Sequence, residues 1–182
     1  MELKGKRVAI LLENNYNEFE FWYPYFRMKE AGAQVTIVGT GAREYVGSNG
    51  LPAPHQGVRE SLEELLSVEE VKPEIFDGVI IPGGFAPDYM RRNQSILQLV
   101  RDIYSAGKVV AAICHAGWVL VSAGILKGRK ATCFFAIKDD VVNAGASYVD
   151  SPVVKDGNLI TSRWPDDLPE FCRAVIEALR KA

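Results

Sequence analysis

The feature that most constrains this chain is a set of short, unbroken apolar runs, each cut off by charge, glycine, proline or a cysteine. Val8-Ala9-Ile10-Leu11-Leu12 stops at Glu13-Asn14-Asn15, Val79-Ile80-Ile81 stops at Pro82-Gly83-Gly84, and Val109-Val110-Ala111-Ala112-Ile113 runs into Cys114. A strand with one wet face alternates apolar and polar residues, whereas a strand covered on both faces reads as continuous hydrophobicity. These runs predict a parallel sheet with helices packed on both sides.

The intervening segments agree. Phe19, Trp22, Tyr23, Phe26 and Met28 fall mostly at helical spacing, Gly32 closes that segment, and Gln34 to Val38 resumes as a strand, which makes one βαβ unit. Ile96, Leu97, Leu99, Val100, Ile103 and Tyr104 form a second helical pattern ending at Gly107, and Ala116 to Ala123 is small and apolar enough for a buried helix. Residues 40 to 58, rich in Gly, Pro, Asn and Ser, read as loops or a short hairpin, and Ser61 to Ser67 as an amphipathic helix. Further on come a short strand at Lys130 to Cys133, a short helix near Asp139 to Asn143, a hairpin through Asp156-Gly157, and a last helix from about Pro165 to Arg180. With no internal repeat, low-complexity tract or linker, residues 1–182 are expected to form one domain. The expected architecture is α/β: a doubly wound, mostly parallel sheet sandwiched by helices, whose ligands bind at the carboxyl ends of the strands.

Composition narrows the function. Lys plus Arg number 21 against 23 Asp plus Glu, a net charge of -2 that gives no general nucleic-acid surface. The basic N-terminus is followed by too short an apolar run for a signal peptide or a membrane span. Cys114, Cys133 and Cys172 are odd in number, widely spaced and outside any C-x-x-C pattern, so neither a disulfide framework nor a structural zinc is expected, and a reducing cytoplasm is the natural location. Gly39-Thr40-Gly41 does not extend to a dinucleotide fingerprint, and two histidines without a carboxylate at zinc spacing give no catalytic metal, so no cofactor is expected.

Chemistry concentrates at Cys114. It ends a strand and begins a helix, where free N–H groups and the positive dipole end favour thiolate, the nucleophilic form. Ala112, Ala116 and Gly117 leave room for a sharp turn, and Ala-Ile-Cys-His-Ala-Gly resembles a nucleophile elbow with Ala112 in place of its first Gly. His115 is adjacent and His55, in a Pro-flanked loop, is the other histidine; His55 is expected to be exposed and idle. Backbone N–H groups of Pro82-Gly83-Gly84, with the amide of His115, could stabilise an oxyanion. Of Glu18 and Glu20, either could face the cysteine, where burial and a nearby thiolate would hold a carboxyl neutral. Cys133 and Cys172 are expected to be packing residues.

In this order, Glu20-Phe21-Trp22-Tyr23-Pro24, Pro82-Gly83-Gly84-Phe85-Ala86-Pro87-Asp88, Ala112-Ile113-Cys114-His115, Ser122-Ala123-Gly124, Lys127-Gly128-Arg129-Lys130, Asp139-Asp140 with Asn143-Ala144-Gly145, and Ser162-Arg163 with Asp167-Leu168-Pro169 resemble the PfpI group of the DJ-1/PfpI superfamily across nearly the whole chain. That resemblance implies a flavodoxin-like fold similar to class I glutamine amidotransferases. It places the catalytic cysteine and its histidine on Cys114 and His115, the elbow glutamate on Glu20, and the oxyanion donors on the amides of Gly84 and His115. A third carboxylate, supplied in protease-like members by a neighbouring subunit, falls on Asp88, one methylene shorter than the family's glutamate. The resemblance further implies a homo-oligomer, dimer or hexamer. The implied activities are attack on methylglyoxal-type dicarbonyls or their protein adducts in the manner of a glyoxalase III or deglycase, cysteine peptidase action through Cys114-His115-Asp88, or a non-enzymatic redox-sensor or holdase role in stress.

Overall fold

Each apolar run becomes a parallel strand buried on both faces. The computed structural model describes residues 1–182. In chain order the elements are β1 (Arg7–Leu11), α1 (Glu18–Ala31), β2 (Gln34–Gly39), β3 (Tyr45–Val46), β4 (Pro52–Ala53), α2 (Arg59–Glu64), β5 (Leu65–Ser67), β6 (Gly78–Ile81), α3 (Ala86–Met90), α4 (Gln94–Ser105), β7 (Val109–Ile113), α5 (Gly117–Ala123), β8 (Lys130–Ala131), α6 (Lys138–Asn143), β9 (Ser147–Tyr148), β10 (Val153–Asp156), β11 (Leu159–Ser162) and α7 (Leu168–Lys181). Seven strands form one sheet in the order β10-β11-β7-β6-β1-β2-β5, in which only β10 pairs antiparallel.

The order explains where a site forms. From β1 the chain steps outward to β2, while from β6 it steps the opposite way to β7. Right-handed crossovers in opposite directions put their helices on opposite faces, and the loops leaving the carboxyl ends of β1 and β6 part to open a crevice. Accordingly α1 packs with α7, and α4 with α5. Leu12 to Asn17, Pro82 to Phe85 and Cys114 all lie at that end of the sheet.

Local signals fix the helix that borders the crevice. Asn17 caps α1, its side chain accepting the N–H groups of Phe19 and Glu20, and Gly32 ends it in the left-handed conformation at φ 95. Its buried face is Phe21, Trp22, Tyr25 and Met28 together with Glu18 and Glu20. Of the stripe read from sequence, Trp22 and Met28 are buried, whereas Phe19, Tyr23 and Phe26 point outward with 66%, 40% and 51% exposure.

Two local expectations are corrected, and one helix is not anticipated by the sequence. The helix expected over Ser61 to Ser67 ends at Glu64, and Leu65–Ser67 pairs instead as an edge strand beside Ile37, Val38 and Gly39. Three residues carry too little periodicity to separate strand from helix, and the open edge of β2 decides. The strand expected at Lys130 to Cys133 pairs only over Lys130–Ala131, with β9, outside the main sheet. Helix α3, just after the Pro-Gly-Gly segment, carried no periodic signal. The hairpin expected in residues 40 to 58 is β3–β4, and the one at Asp156-Gly157 is β10–β11. No helix is long and apolar enough to cross a membrane.

Candidate active site

Cys114 sits where β7 gives way to a tight turn over Cys114–Ala116 that leads into α5. Its backbone is left-handed at φ 83, a conformation costly for any residue with a Cβ, and only Asn15, at φ 60, shares it among non-glycine residues. The turn is possible because its neighbours are small: a Cβ on Gly117 would already press on Ile137 at 3.0 Å. The strained strand-to-helix elbow expected from sequence is therefore present, with the thiol buried but at the end of the sheet.

Several groups converge on the sulfur. The backbone N–H groups of Gly84 and His115 both interact with it. Nδ1 of His115 lies 3.3 Å away. The Glu20 carboxyl, with no solvent exposure, also interacts with the thiol; its Oε2 accepts the N–H of Gly83 at 2.7 Å, while Oε1 has no hydrogen-bond partner of standard geometry. Glycine is required twice in the facing loop. A Cβ on Gly83 would lie 2.6 Å from Glu20 Oε2 and 2.7 Å from Cys114 Cβ, and one on Gly84, already at φ 74, would lie 2.5 Å from the carbonyl oxygen of Asn15.

Glu18 and Glu20 separate cleanly. Glu18 turns away to the β3–β4 hairpin, accepting the backbone N–H of Asn49 at 2.5 Å and its side-chain amide at 2.9 Å. Two residues further along, α1 carries Glu20 under the Gly83 loop.

The expectation that the thiol is acidified on its own is corrected. Burial pushes the Cys114 thiol up, and an ionised Glu20 beside it pushes it further; the two amides pull the other way but more weakly. Only a short turn and a seven-residue helix follow the cysteine, so little dipole offsets this. Burial likewise raises Glu20 from 4.5 to about 7. Two neighbouring buried groups cannot both be anionic at low cost, so thiolate forms when Glu20 holds the proton, and the Gly84 and His115 amides then stabilise it.

His115 is held by rings rather than by a carboxylate. Phe134 stacks on it with centroids 4.8 Å apart, Trp118 meets it edge-on at 5.2 Å and Phe85 lies at 6.3 Å. Burial among them lowers its pKa, which favours neutral imidazole. Trp118 is itself fixed by donating Nε1–H to Asp140 at 2.8 Å. Asp88 is not brought to His115 within the chain: it sits on α3 and pairs with Arg92 one turn away. His55 is half-buried rather than exposed; its Nδ1 accepts the N–H of Gly57, and it lines an open apolar groove of about 480 Å³ with Trp22, Phe26 and Leu51 that does not include Cys114. Cys133 and Cys172 are buried packing residues, Cys133 just beyond β8 and Cys172 on the inner face of α7. No three His, Cys, Asp or Glu side chains converge as metal ligands.

Comparison with known proteins gives this geometry a setting. The model of the DJ-1/PfpI family matches residues 6–178. Deglycase PH1704 of Pyrococcus horikoshii is 39% identical over 174 residues, covering 96% of this chain and 99% of that protein. Protein/nucleic acid deglycase 2 of Escherichia coli is 39% identical over 178 residues, covering 97% of each. Among solved structures, a two-domain Anabaena variabilis protein with DJ-1/ThiJ/PfpI-like and ferritin-like domains superposes with a TM-score of 0.88 at 41% identity, covering 96% of this chain and 48% of that one.

Proposed function

Because this chain belongs to the DJ-1/PfpI family, we propose that it is a cysteine-dependent, cofactor-independent enzyme acting on methylglyoxal-type dicarbonyls or their adducts on proteins. The observation that carries this reading is the buried Glu20 carboxyl, with one oxygen fixed by Gly83 and the other free, beside a thiol that also receives the amides of Gly84 and His115. The likeness to proteins named deglycases supports it.

Chemistry follows from the shared proton. With Glu20 protonated, the Cys114 sulfur attacks the aldehyde carbon, a C–S bond forms, and the carbonyl π electrons move to oxygen, which takes the proton from Glu20. Glu20 carboxylate or neutral His115 then removes the hydrogen from the former aldehyde carbon, and reprotonation at the neighbouring ketone carbon gives an α-hydroxy thioester. One carbon is oxidised as the other is reduced, so no external oxidant enters. Water cleaves the thioester to the hydroxy acid and restores the thiol. A Glu20 pKa of about 7 lets this group both give and take the proton near neutrality.

Peptidase action through Cys114-His115-Asp88 needs a carboxylate on His115, and in this chain Asp88 is committed to Arg92. That reading therefore requires a second copy to deliver its own Asp88. The outward Phe19, Tyr23 and Phe26 supply an apolar stripe on which copies of the chain could associate.

Lactate formation from methylglyoxal by purified protein, without glutathione or added metal, tests the proposal, with Cys114→Ser as control and a fluorescent peptide in parallel. Many turnovers of Cys114-dependent lactate are expected. Peptide cleavage alone would favour the peptidase, and selective oxidation of Cys114 with neither product would favour the sensor.

A further inference from the structure

The three successive amides of the loop after β6 face three different groups. The N–H of Gly83 goes to Glu20 Oε2 at 2.7 Å and that of Phe85 to the carbonyl oxygen of Asn15 at 2.7 Å, while between them the amide of Gly84 faces the Cys114 sulfur without a hydrogen bond of standard geometry. The two outer bonds hold the peptide units on either side of the one that meets the sulfur. Glu20 belongs to the chemistry; Asn15 does not touch the thiol, and nothing in the proposed reaction uses it.

Asn15 nevertheless has an unusual backbone. It lies at the carboxyl end of β1 in the left-handed region at φ 60, which asparagine and glycine tolerate and β-branched residues do not. That conformation aims its carbonyl at the loop, where it accepts the N–H groups of Phe85 and Ala86, the latter at 3.2 Å, and the Ser48 hydroxyl at 3.0 Å. Its own N–H donates to Val46 at 2.7 Å, and its side chain donates to the Tyr89 hydroxyl at 3.3 Å. Tyr16 bridges Gly84 and the Asn17 N–H donates to Gly83, so the loop after β1 lies along the loop after β6 as a short antiparallel pair. The β3–β4 hairpin backs it through Ser48.

We propose that Asn15 is a positioning residue: its left-handed backbone fixes the Phe85 amide and thereby holds the Gly84 N–H on the Cys114 sulfur. This rests on the reading of Cys114 as the nucleophile but not on the identity of the substrate. When the carbonyl of Asn15 swings away, the Gly84 amide loses its alignment, the thiolate loses one of its two backbone donors, and an oxyanion formed on the attacked carbon loses the same donor.

The test compares Asn15→Val with the conservative Asn15→Gly, and with Ser48→Ala, following Cys114 alkylation by iodoacetamide at neutral pH by intact mass and methylglyoxal turnover alongside. Loss of one amide donor to the thiolate raises its pKa by about one unit, so folded Asn15→Val should alkylate about tenfold more slowly and lose kcat with little change in KM. Asn15→Gly should recover the alkylation rate, and Ser48→Ala should fall between the two. Wild-type alkylation in folded Asn15→Val, or equal impairment in Asn15→Gly, overturns the inference. Should Asn15→Val fail to fold, a wild-type rate in Ser48→Ala overturns it. If wild-type protein alkylates normally yet makes no lactate, the dicarbonyl reading fails while the alkylation series still decides the role of Asn15.

Discussion

Glu20 accepts the backbone N–H of Gly83 at 2.7 Å through Oε2, leaves Oε1 without a partner of standard geometry, and sets its carboxyl beside the Cys114 thiol. The Gly83 bond and complete burial together hold the carboxyl in one orientation, next to the sulfur with which it exchanges a proton. Glu20→Gln keeps the shape and the Gly83 bond but removes the exchangeable proton, and should lower dicarbonyl turnover by roughly 100-fold or more, the usual scale for loss of a general acid–base. Glu20→Asp, one methylene shorter, should not restore it. Steady-state lactate formation checks both, and near-wild-type turnover in Glu20→Gln would remove Glu20 from the mechanism.

Stability should carry the signature of the same group. Its pKa rises from 4.5 unfolded to about 7 folded, so the folded state prefers the protonated form. Folding is unpenalised below about pH 4.5, loses stability as pH rises from there to about 7, and is flat above that, a total of about 3 kcal/mol. Glu20→Gln lacks this loss. The melting-temperature advantage of Glu20→Gln over wild type should be small at pH 4.5 and grow to a plateau by pH 8; a difference independent of pH would contradict it.

Gly83→Ala should damage the site and the fold together. The new methyl would lie 2.6 Å from Glu20 Oε2, 2.7 Å from Cys114 Cβ and 2.9 Å from the Ile113 carbonyl oxygen. Ile113 is held at the end of buried β7 and Cys114 by the tight turn that follows it, so the strain should cost roughly 1–3 kcal/mol. Thermal unfolding measures that loss, and slowed iodoacetamide labelling of Cys114 reports the displaced loop.

The exposed stripe on α1 makes a separate prediction. Phe19, Tyr23 and Phe26 recur at helical spacing, so two antiparallel copies of α1 can set Phe19 of one against Phe26 of the other. If copies of the chain associate through this face, Phe19→Arg with Phe26→Arg should lower the sedimentation coefficient relative to wild type. An unchanged sedimentation coefficient would exclude this face as a site of association.

Much of the fold was legible because burial on both faces erases polar residues from a strand. The runs ending at Leu12, Ile81 and Ile113 needed nothing more to be read as central strands, and capping chemistry marked Gly32 as a helix end. The sequence also determined the candidate nucleophile, since Cys114 is the cysteine at a strand-to-helix boundary among small residues, and the family pattern favoured Glu20 over Glu18. Only the tertiary structure decided what these residues experience. Leu65–Ser67 became a strand because β2 left an edge unpaired, and Asn15 became a support because two loops, remote in sequence, lie side by side. The thiol that local helix geometry should have acidified is pushed up, first by its own burial and then by the carboxyl that α1 brings beside it. Local propensity and periodicity act over a few neighbouring residues and are written in the sequence, whereas desolvation and the placement of one charge beside another depend on what the folded chain brings into contact.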